Sequence, residues 1–435
     1  MTTLNEFSSC VAQYDPHALP VTAAQAIVRE WATPVTAVER VPLHDALDRV
    51  LAEDIISPGD VPAHDNSAMD GYAFRGTALA AAAASDSSTV ELTVAGKALA
   101  GHPFSGAVAV NQCVRVMTGA SMPADCDTVV PQELVTRTGD TIRFAADAVR
   151  GGANRRLAGE DLARGSAALL AGRIMRASDL GLIASLGIAE VPVRRRLRVA
   201  FFSTGDELRS LGEPLDPGCV YDSNRHTLFA MLRRLNIDPL DLGVVRDQPA
   251  ALEAALRSAA ASADVVLTSG GVSVGEADFT KQLLQTFGDV AFWSLAMRPG
   301  RPLAFGRVWS GERPGVGRPA LFFGLPGNPV AVMVTFYQIV REALLKMAGA
   351  TPRPVPVLQA ASREVIRKRA GRTEFQRGVA ERDAHGQWHV TPTGSQSSGV
   401  LSSMSEANCF IVLDHARSDI TAGESVDIML FDGLI

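Results

Sequence analysis

A chain of 435 residues exceeds what one hydrophobic core organises, so roughly three or four domains are expected. Hydrophobic residues at 47% and charged residues at 20% are ordinary globular usage, which excludes a wholly disordered or collagen-like chain. The net charge is −6 and basic residues are dispersed apart from short runs such as Arg194-Arg195-Arg196 and Arg367-Lys368-Arg369, which argues against nucleic acid as the main partner.

The opening stretch, MTTLNEFSSCVAQYDPHALP, has no basic and apolar leader pattern, and no segment reaches the roughly 18 apolar residues of a membrane span. Residues 21–56 read as two helices, TAAQAIVREWA and LHDALDRVLAEDI, with apolar residues three and four apart. From 60 to about 150 the text shortens into β-rich runs (ELTVAG, QCVRVM, DTVVPQELV, IRF) broken by Gly, Pro and Asp, the pattern of a small β module. ALAAAAASDSS at 78–88 reads as a surface loop or helical insert. Residues 151–193 pair GGANRRLAGEDLARG with an apolar helix, ASDLGLIASLGI, expected to pack back on the first two helices. The β module would then be an insertion (46–150) in a discontinuous helical and mixed domain (1–45 and 151–193).

Residues 194–350 alternate apolar strands with amphipathic helices, as in RVAFFSTG, SNRHTLFAMLRRLN, PLDLGVVRD, PAALEAALRSAAASA and DVVLTSGG. Such alternation predicts a mostly parallel sheet covered on both faces. TPRPVP is a proline-punctuated linker, and period-two runs across 351–435 (FQRGVAE, WHVTPTG, NCFIVL, SVDIML) predict a small β barrel or sandwich. The fold class is therefore multidomain α/β plus β.

In open α/β sheets ligands bind beyond the carboxyl ends of strands. Here those ends are polar, and Glu207, Asp247 and Asp278 each follow a different predicted strand. Three carboxylates on one edge suit Mg²⁺, which commonly takes one or two carboxylates together with substrate phosphates. Singly, each would be an ordinary helix cap or loop acid. Ser269, Gly270, Gly271 and Ser273 form a bare turn into a helix, fit to hold a phosphate or simply to reverse the chain. Arg298 and Arg301 sit among prolines in MRPGRPLAFG, and Pro326 and Pro329 rigidify LPGNPVAV. In the last domain Arg372, Arg377, Ser395, Ser397 and Ser398 offer donors for an oxyanion, although arginine on a β surface is usually just solvated. Cys10, Cys113, Cys126, Cys219 and Cys409 form no CxxC pair and are odd in number, so neither a disulfide framework nor a zinc cluster is signalled, and reduced cytoplasmic thiols are expected.

In chain order, DNSAMDGYA, MTGASMPADCDTVV, GEDL, STGDEL, YDSNR, TSGGVSVGEADFTK, RPGRPLAFG, LPGNPVAV and FQRG resemble the molybdopterin molybdenumtransferases, the MoeA family, similar also to the E domain of gephyrin. The resemblance runs from about residue 21 to the last residue. It implies a central molybdopterin-binding α/β domain, an inserted β domain and a C-terminal β barrel (351–435). It further implies insertion of molybdenum from molybdate into adenylyl-molybdopterin with Mg²⁺ and release of AMP. The family resemblance implies a cytoplasmic homodimer whose cleft is shared between subunits, with other cofactor-biosynthesis proteins and recipient molybdoenzymes as further partners. Neither a nucleic-acid nor a membrane partner is implied.

On that resemblance Glu207, Asp247 and Asp278 serve substrate and metal, Asp70 and Thr118 reach in from the second subunit, and Asp161 occupies another acidic position of the family. Pro326 and Pro329 match the PGNP turn, and Arg377 with Ser398 match molybdate contacts. Two departures stand out: Ser294 follows Trp293 where the family often carries lysine, and Arg298 and Arg301 replace both lysines of the KPGKP motif. Arginine keeps the charge and changes its geometry. The competing readings are a molybdopterin adenylyltransferase and a non-catalytic pterin-binding scaffold.

Overall fold

The computed structural model describes residues 3–11, 14–85, 87–271 and 277–434, with side chains undescribed at 277–280. A six-stranded sheet forms its centre, in the order Asp238–Val245, Arg198–Thr204, Val265–Ser269, Pro319–Leu325, Pro302–Trp309, Gly288–Ser294. The first three pairings are parallel and the last two antiparallel. Val265–Ser269 is buried at every position, as expected of a strand covered on both faces. Helix Pro249–Ser262 starts on a proline, which costs no hydrogen bond at that position. Helix Ser223–Arg234 starts on Asp222, whose carboxylate accepts from the Arg225 amide.

Helix Val21–Trp31 forms where its spacing predicts it and buries Val21, Ala24, Ile27, Val28 and Trp31. Its apolar face joins the core of the central sheet and the helical run from Pro329 to Met347. Two expectations fail here. The second helix is only a 3-10 turn, Leu43–Ala46, preceded by strand Val38–Pro42. Asp48 takes a φ of 59°, which ends the turn, and Val50 and Leu51 then pair as bridges with Ile174 and Val193. Helix Ala177–Ser185 packs over that turn, in a small core of Ala46, Leu51, Leu169, Met175 and Ile183, and not against helix Val21–Trp31. Apolar spacing of three and four also suits an irregular segment whose few apolar residues all face one small core, and that reading wins.

Between the two halves of this mixed layer runs a separate six-stranded sheet, in the order Thr128–Pro131, Gly71–Phe74, Gln112–Val116, Thr89–Ala98, Thr141–Ala145, Thr136–Thr138. The alanine-rich run becomes helix Thr77–Ala84, packed on it. At the other end of the chain, strands Thr373–Arg382, Trp388–Pro392, Leu358–Ser362, Ser425–Leu430 and Cys409–Leu413 pair in that order, and the last pairs back to the first. This closes a five-stranded barrel around Ala380, Val390, Ile411 and Ile428. Met297–Arg298, leaving the central sheet, adds to the barrel beside Thr373–Glu374 and so ties the two together at the site described next. Among the described residues no helix is long and apolar enough to cross a membrane.

Candidate active site

Four neighbouring strands of the central sheet end at one edge, in Thr204, Val245, Ser269 and Leu325. The residues beyond Thr204, Ser269 and Leu325, with Asp247 two places past Val245, line a cleft of about 740 Å³. Glu207 and Asp247 lie at the side of strands Arg198–Thr204 and Asp238–Val245. Arg298 and Arg301 enter it from the side of Pro302–Trp309. Three inter-strand steps separate Arg198–Thr204 from Pro302–Trp309, roughly 14 Å at the usual strand spacing. The cleft therefore has a carboxylate end and a guanidinium end.

The middle is made of bare main chain over a braced floor. Gly270 has φ +90°, and a Cβ there would lie 2.4 Å from the Thr204 carbonyl oxygen, so only glycine fits. The Gly270 N–H is spent on the Leu325 carbonyl at 3.2 Å, so its contribution is clearance for a ligand and not a donor. Asn224, buried on the capped helix, donates through Nδ2 to Ser269 Oγ at 2.8 Å and to the Gly327 carbonyl at 2.7 Å. That bond joins the SGG turn to the PGNP turn. Asn224 Oδ1 is buried with no partner among the described residues.

At the carboxylate end the Thr204 hydroxyl donates to Asp247, which fixes the direction of that carboxylate. Among the described residues no three His, Cys, Asp or Glu side chains converge to hold a metal by themselves. Two carboxylates opening on a cleft still fit a magnesium ion that completes its shell with phosphate and water oxygens. The Asp278 side chain and the whole of Ser273 lie outside the described residues.

At the guanidinium end Arg301 Nε donates to Ser294 Oγ at 2.7 Å. Gly300, with φ +96°, lets this turn pack against helix Pro329–Thr335, where a Cβ would meet Thr335 Oγ1 at 2.4 Å. Arg298 is more loosely held, 3.9 Å from Glu374 with half its side chain exposed. The barrel closes the cleft with Ser395, Gln396, Ser397 and Ser398. Ser398 is joined to the PGNP helix, its carbonyl accepting from the Val330 amide at 3.1 Å.

Arg377 does not line the cleft. It is 1% exposed, and its guanidinium donates to the Ser395 and Ser397 carbonyls, each at 3.1 Å, and to Ser403 Oγ at 3.1 Å. Its amide donates to Gln396 Oε1 at 2.9 Å. It braces the loop from behind. Burial, and then the nearby Arg298 charge, pull its pKa down to about 10, so it stays charged at neutral pH with no carboxylate among these partners.

The remaining predicted residues lie elsewhere on the chain. Asp70 Oδ1 accepts from the Thr118 amide at 2.7 Å and hydroxyl at 2.8 Å, an exposed pair on the inserted sheet. Asp161, also exposed, donates its amide to the Val61 carbonyl at 3.1 Å. Neither the pair nor Asp161 lines the cleft of its own chain. Thr204, Asn224 and Gln396 also line the cleft, beyond the residues that the sequence singles out. The polar run after RVAFFS and the YDSNR motif were the available signals for the first two.

All five cysteines are free, and burial pushes the Cys113, Cys126 and Cys409 thiols up to about 12, which disqualifies these three as nucleophiles at neutral pH.

Three family models match in order: the MoeA N-terminal region, domains I and II, over 19–187; a probable molybdopterin-binding domain over 200–346; and the MoeA C-terminal region, domain IV, over 359–431. A Haemophilus influenzae protein named molybdopterin molybdenumtransferase is 43% identical over 402 residues, covering 92% of this chain and 95% of its own. A Nostoc protein of the same name is 34% identical, covering 90% and 88%. The crystal structure of a molybdopterin biosynthesis MoeA protein from Pyrococcus horikoshii superposes with a TM-score of 0.80 at 29% identity, over 95% of this chain and all of that one.

Proposed function

The chain belongs to the MoeA family, and from that premise we propose that it is a molybdopterin molybdenumtransferase whose cleft inserts molybdenum from molybdate into adenylyl-molybdopterin and releases AMP. The observation that carries this reading is one cleft with carboxylates at one end, arginines at the other and a bare glycine turn between. The carboxylate end suits the pyrophosphate with its cation, and the guanidinium end suits a dianionic oxyanion. Adenylyl transfer from ATP would need no oxyanion end, and a passive scaffold would need neither the oriented Asp247 nor the cleared Gly270 turn.

In this mechanism Glu207 and Asp247, with Asp278, are the residues that would hold Mg²⁺ at the carboxylate end. The ion supplies neutralisation of the phosphate charge when bound. Asn224 holds the Ser269 and Pro326 turns in register, so that Gly270 and Gly271 leave room for phosphate oxygens. Arg298, Arg301 and Ser398 bind molybdate, with Arg377 keeping the Ser398 loop in place. As the two dithiolene sulfurs bind molybdenum, one oxo group leaves as water with the two thiol protons and a second leaves as water with two protons taken from solvent, and hydrolysis of the pyrophosphate frees AMP.

Asp70 and Thr118 point to a composite cleft. They form an organised, exposed carboxylate-hydroxyl pair, yet they do not line the cleft of their own chain. In the proposed homodimer the inserted domain, 46–150, of one subunit closes over the α/β domain, 194–350, of the other. The free cysteines agree with work in the cytoplasm.

Purified protein incubated with adenylyl-molybdopterin, molybdate and Mg²⁺ should release AMP and yield a product that activates a cofactor-free molybdoenzyme. Pyrophosphate release from ATP and molybdopterin instead would establish the adenylyltransferase reading. Mixing inactive Asp70→Ala and Asp247→Ala chains should restore about a quarter of wild-type activity if subunits reassort freely into C2 dimers.

A further inference from the structure

A second concave site, of about 640 Å³, opens on the barrel side of Arg298. Its charged lining is Arg298, Arg367, Lys368, Arg369 and Arg372 against the single carboxylate of Asp419. Asp419 is already engaged, accepting from the Lys368 amide at 2.8 Å and from Arg367 at 2.7 Å. Glu374, next to the site, is also engaged, accepting from Arg372 at 2.8 Å and from Gln376 at 3.0 Å. Lys368 is 5% exposed, and its ammonium donates to the main-chain carbonyls of Arg417 at 2.6 Å and Arg369 at 3.3 Å, neither of them a carboxylate. The Glu374 and Asp414 charges act on Lys368 only from a distance, its direct partners being carbonyl dipoles, so the cations of the lining outnumber the carboxylates that touch them and the potential of the concavity stays positive.

Arg298 is the residue that this site and the cleft share. It sits on the two-residue strand that crosses from the central sheet to the barrel, half exposed and 3.9 Å from its nearest carboxylate.

We infer that this basic pocket is a second oxyanion site, an antechamber that captures the tetrahedral dianion from solution and passes it to the cleft across Arg298. A pocket in which cations predominate concentrates anions and speeds their capture at low salt. The inference rests on the oxyanion-consuming reaction proposed above.

The test is Arg367→Gln with Arg369→Gln in the full chain. Both side chains are exposed and neither lines the cleft, so folding, checked by thermal denaturation, should be unchanged. Titration calorimetry with molybdate alone at low ionic strength should give two binding events per wild-type chain and one in the double variant. With pterin substrate, the KM for molybdate should rise roughly tenfold and lose most of its salt dependence, while kcat at saturating molybdate stays the same. One binding event in the wild type, or an unchanged KM in the double variant, would overturn the inference. So would a double variant that loses AMP binding but keeps both molybdate events, because the pocket would then serve the nucleotide phosphate. Binding of molybdate is read without pterin, so a chain that captures two oxyanions yet releases no AMP would refute the reaction and leave the pocket standing.

Discussion

Ser294 Oγ accepts a hydrogen bond from Arg301 Nε at 2.7 Å across the turn that carries the guanidinium end of the cleft. The main chain of Ser294 is itself pinned, its amide donating to the Pro16 carbonyl at 2.7 Å and its carbonyl accepting from Leu19 at 3.0 Å. A short hydroxyl on a fixed strand end thus sets the plane of an arginine fork. A lysine pair would supply two mobile point charges instead. Ser294→Ala should raise the KM for molybdate roughly tenfold, the equivalent of about 1.5 kcal/mol for a lost hydrogen bond to a charged group, with a smaller change in kcat. Steady-state kinetics over a molybdate series would check it, and Ser294→Thr should retain most of the affinity.

Gly270→Ala should be far more damaging than its single methyl suggests. The φ of +90° and the 2.4 Å approach of a Cβ to the Thr204 carbonyl leave no relaxed solution, because the opposing atom is backbone. Strain of this kind costs about 3 kcal/mol, and relieving it would move the Thr204 strand end that orients Asp247. Chemical denaturation should show the loss, and AMP release should fall even at temperatures where the variant is fully folded.

Thr204→Val removes the hydroxyl that aims Asp247 while keeping shape and burial. If Asp247 helps to hold Mg²⁺, the half-saturating Mg²⁺ concentration should rise roughly tenfold, and excess Mg²⁺ should recover most of the rate. An unchanged Mg²⁺ dependence would remove Asp247 from the metal site.

The strand ends of the α/β domain could be read from the sequence because parallel strands there are continuous apolar runs, and the polar residues after them have to emerge at one edge. The direction of Arg377 is not legible for a related reason. FQRG reads as a strand with an outward arginine, but Glu374, Phe375, Gln376, Arg377 and Gly378 are all buried, so alternation says nothing about direction there. The failed helix at 43–55 shows the same ambiguity at low apolar density. Contacts such as Ser294 with Arg301 depend on turn geometry set by Gly300 and the prolines, which spacing alone does not encode.

Asp70 is held below the usual carboxylate range by the Thr118 amide, then by the Thr118 hydroxyl, with a smaller contribution from Arg115. Its folded pKa is depressed, so whatever the pair contributes to folding is present above the unfolded carboxylate pKa and lost as pH falls through the folded one. The carboxylate is therefore ionised at neutral pH. Thr118→Val keeps the amide and deletes the hydroxyl donor, so carbon-detected NMR titration should show the Asp70 pKa moving up towards the ordinary value. An unmoved titration would mean that the hydroxyl bond does not persist in solution.

Arg377 has the opposite sign. Its folded pKa, about 10, lies below its ordinary value, so the cost of burying its charge is present at every pH below about 10 and is relieved only as pH rises through it. An oxyanion bound beyond the Ser395–Ser398 loop would offset that cost, so molybdate should raise the Tm of the wild type. Arg377→Lys keeps a charge but cannot reach both carbonyls and Ser403 at once. It should lose about 2 kcal/mol in chemical denaturation, and its molybdate-induced Tm shift should shrink as the loop loosens. A variant with wild-type stability and an undiminished shift would show that the loop does not depend on the buried guanidinium.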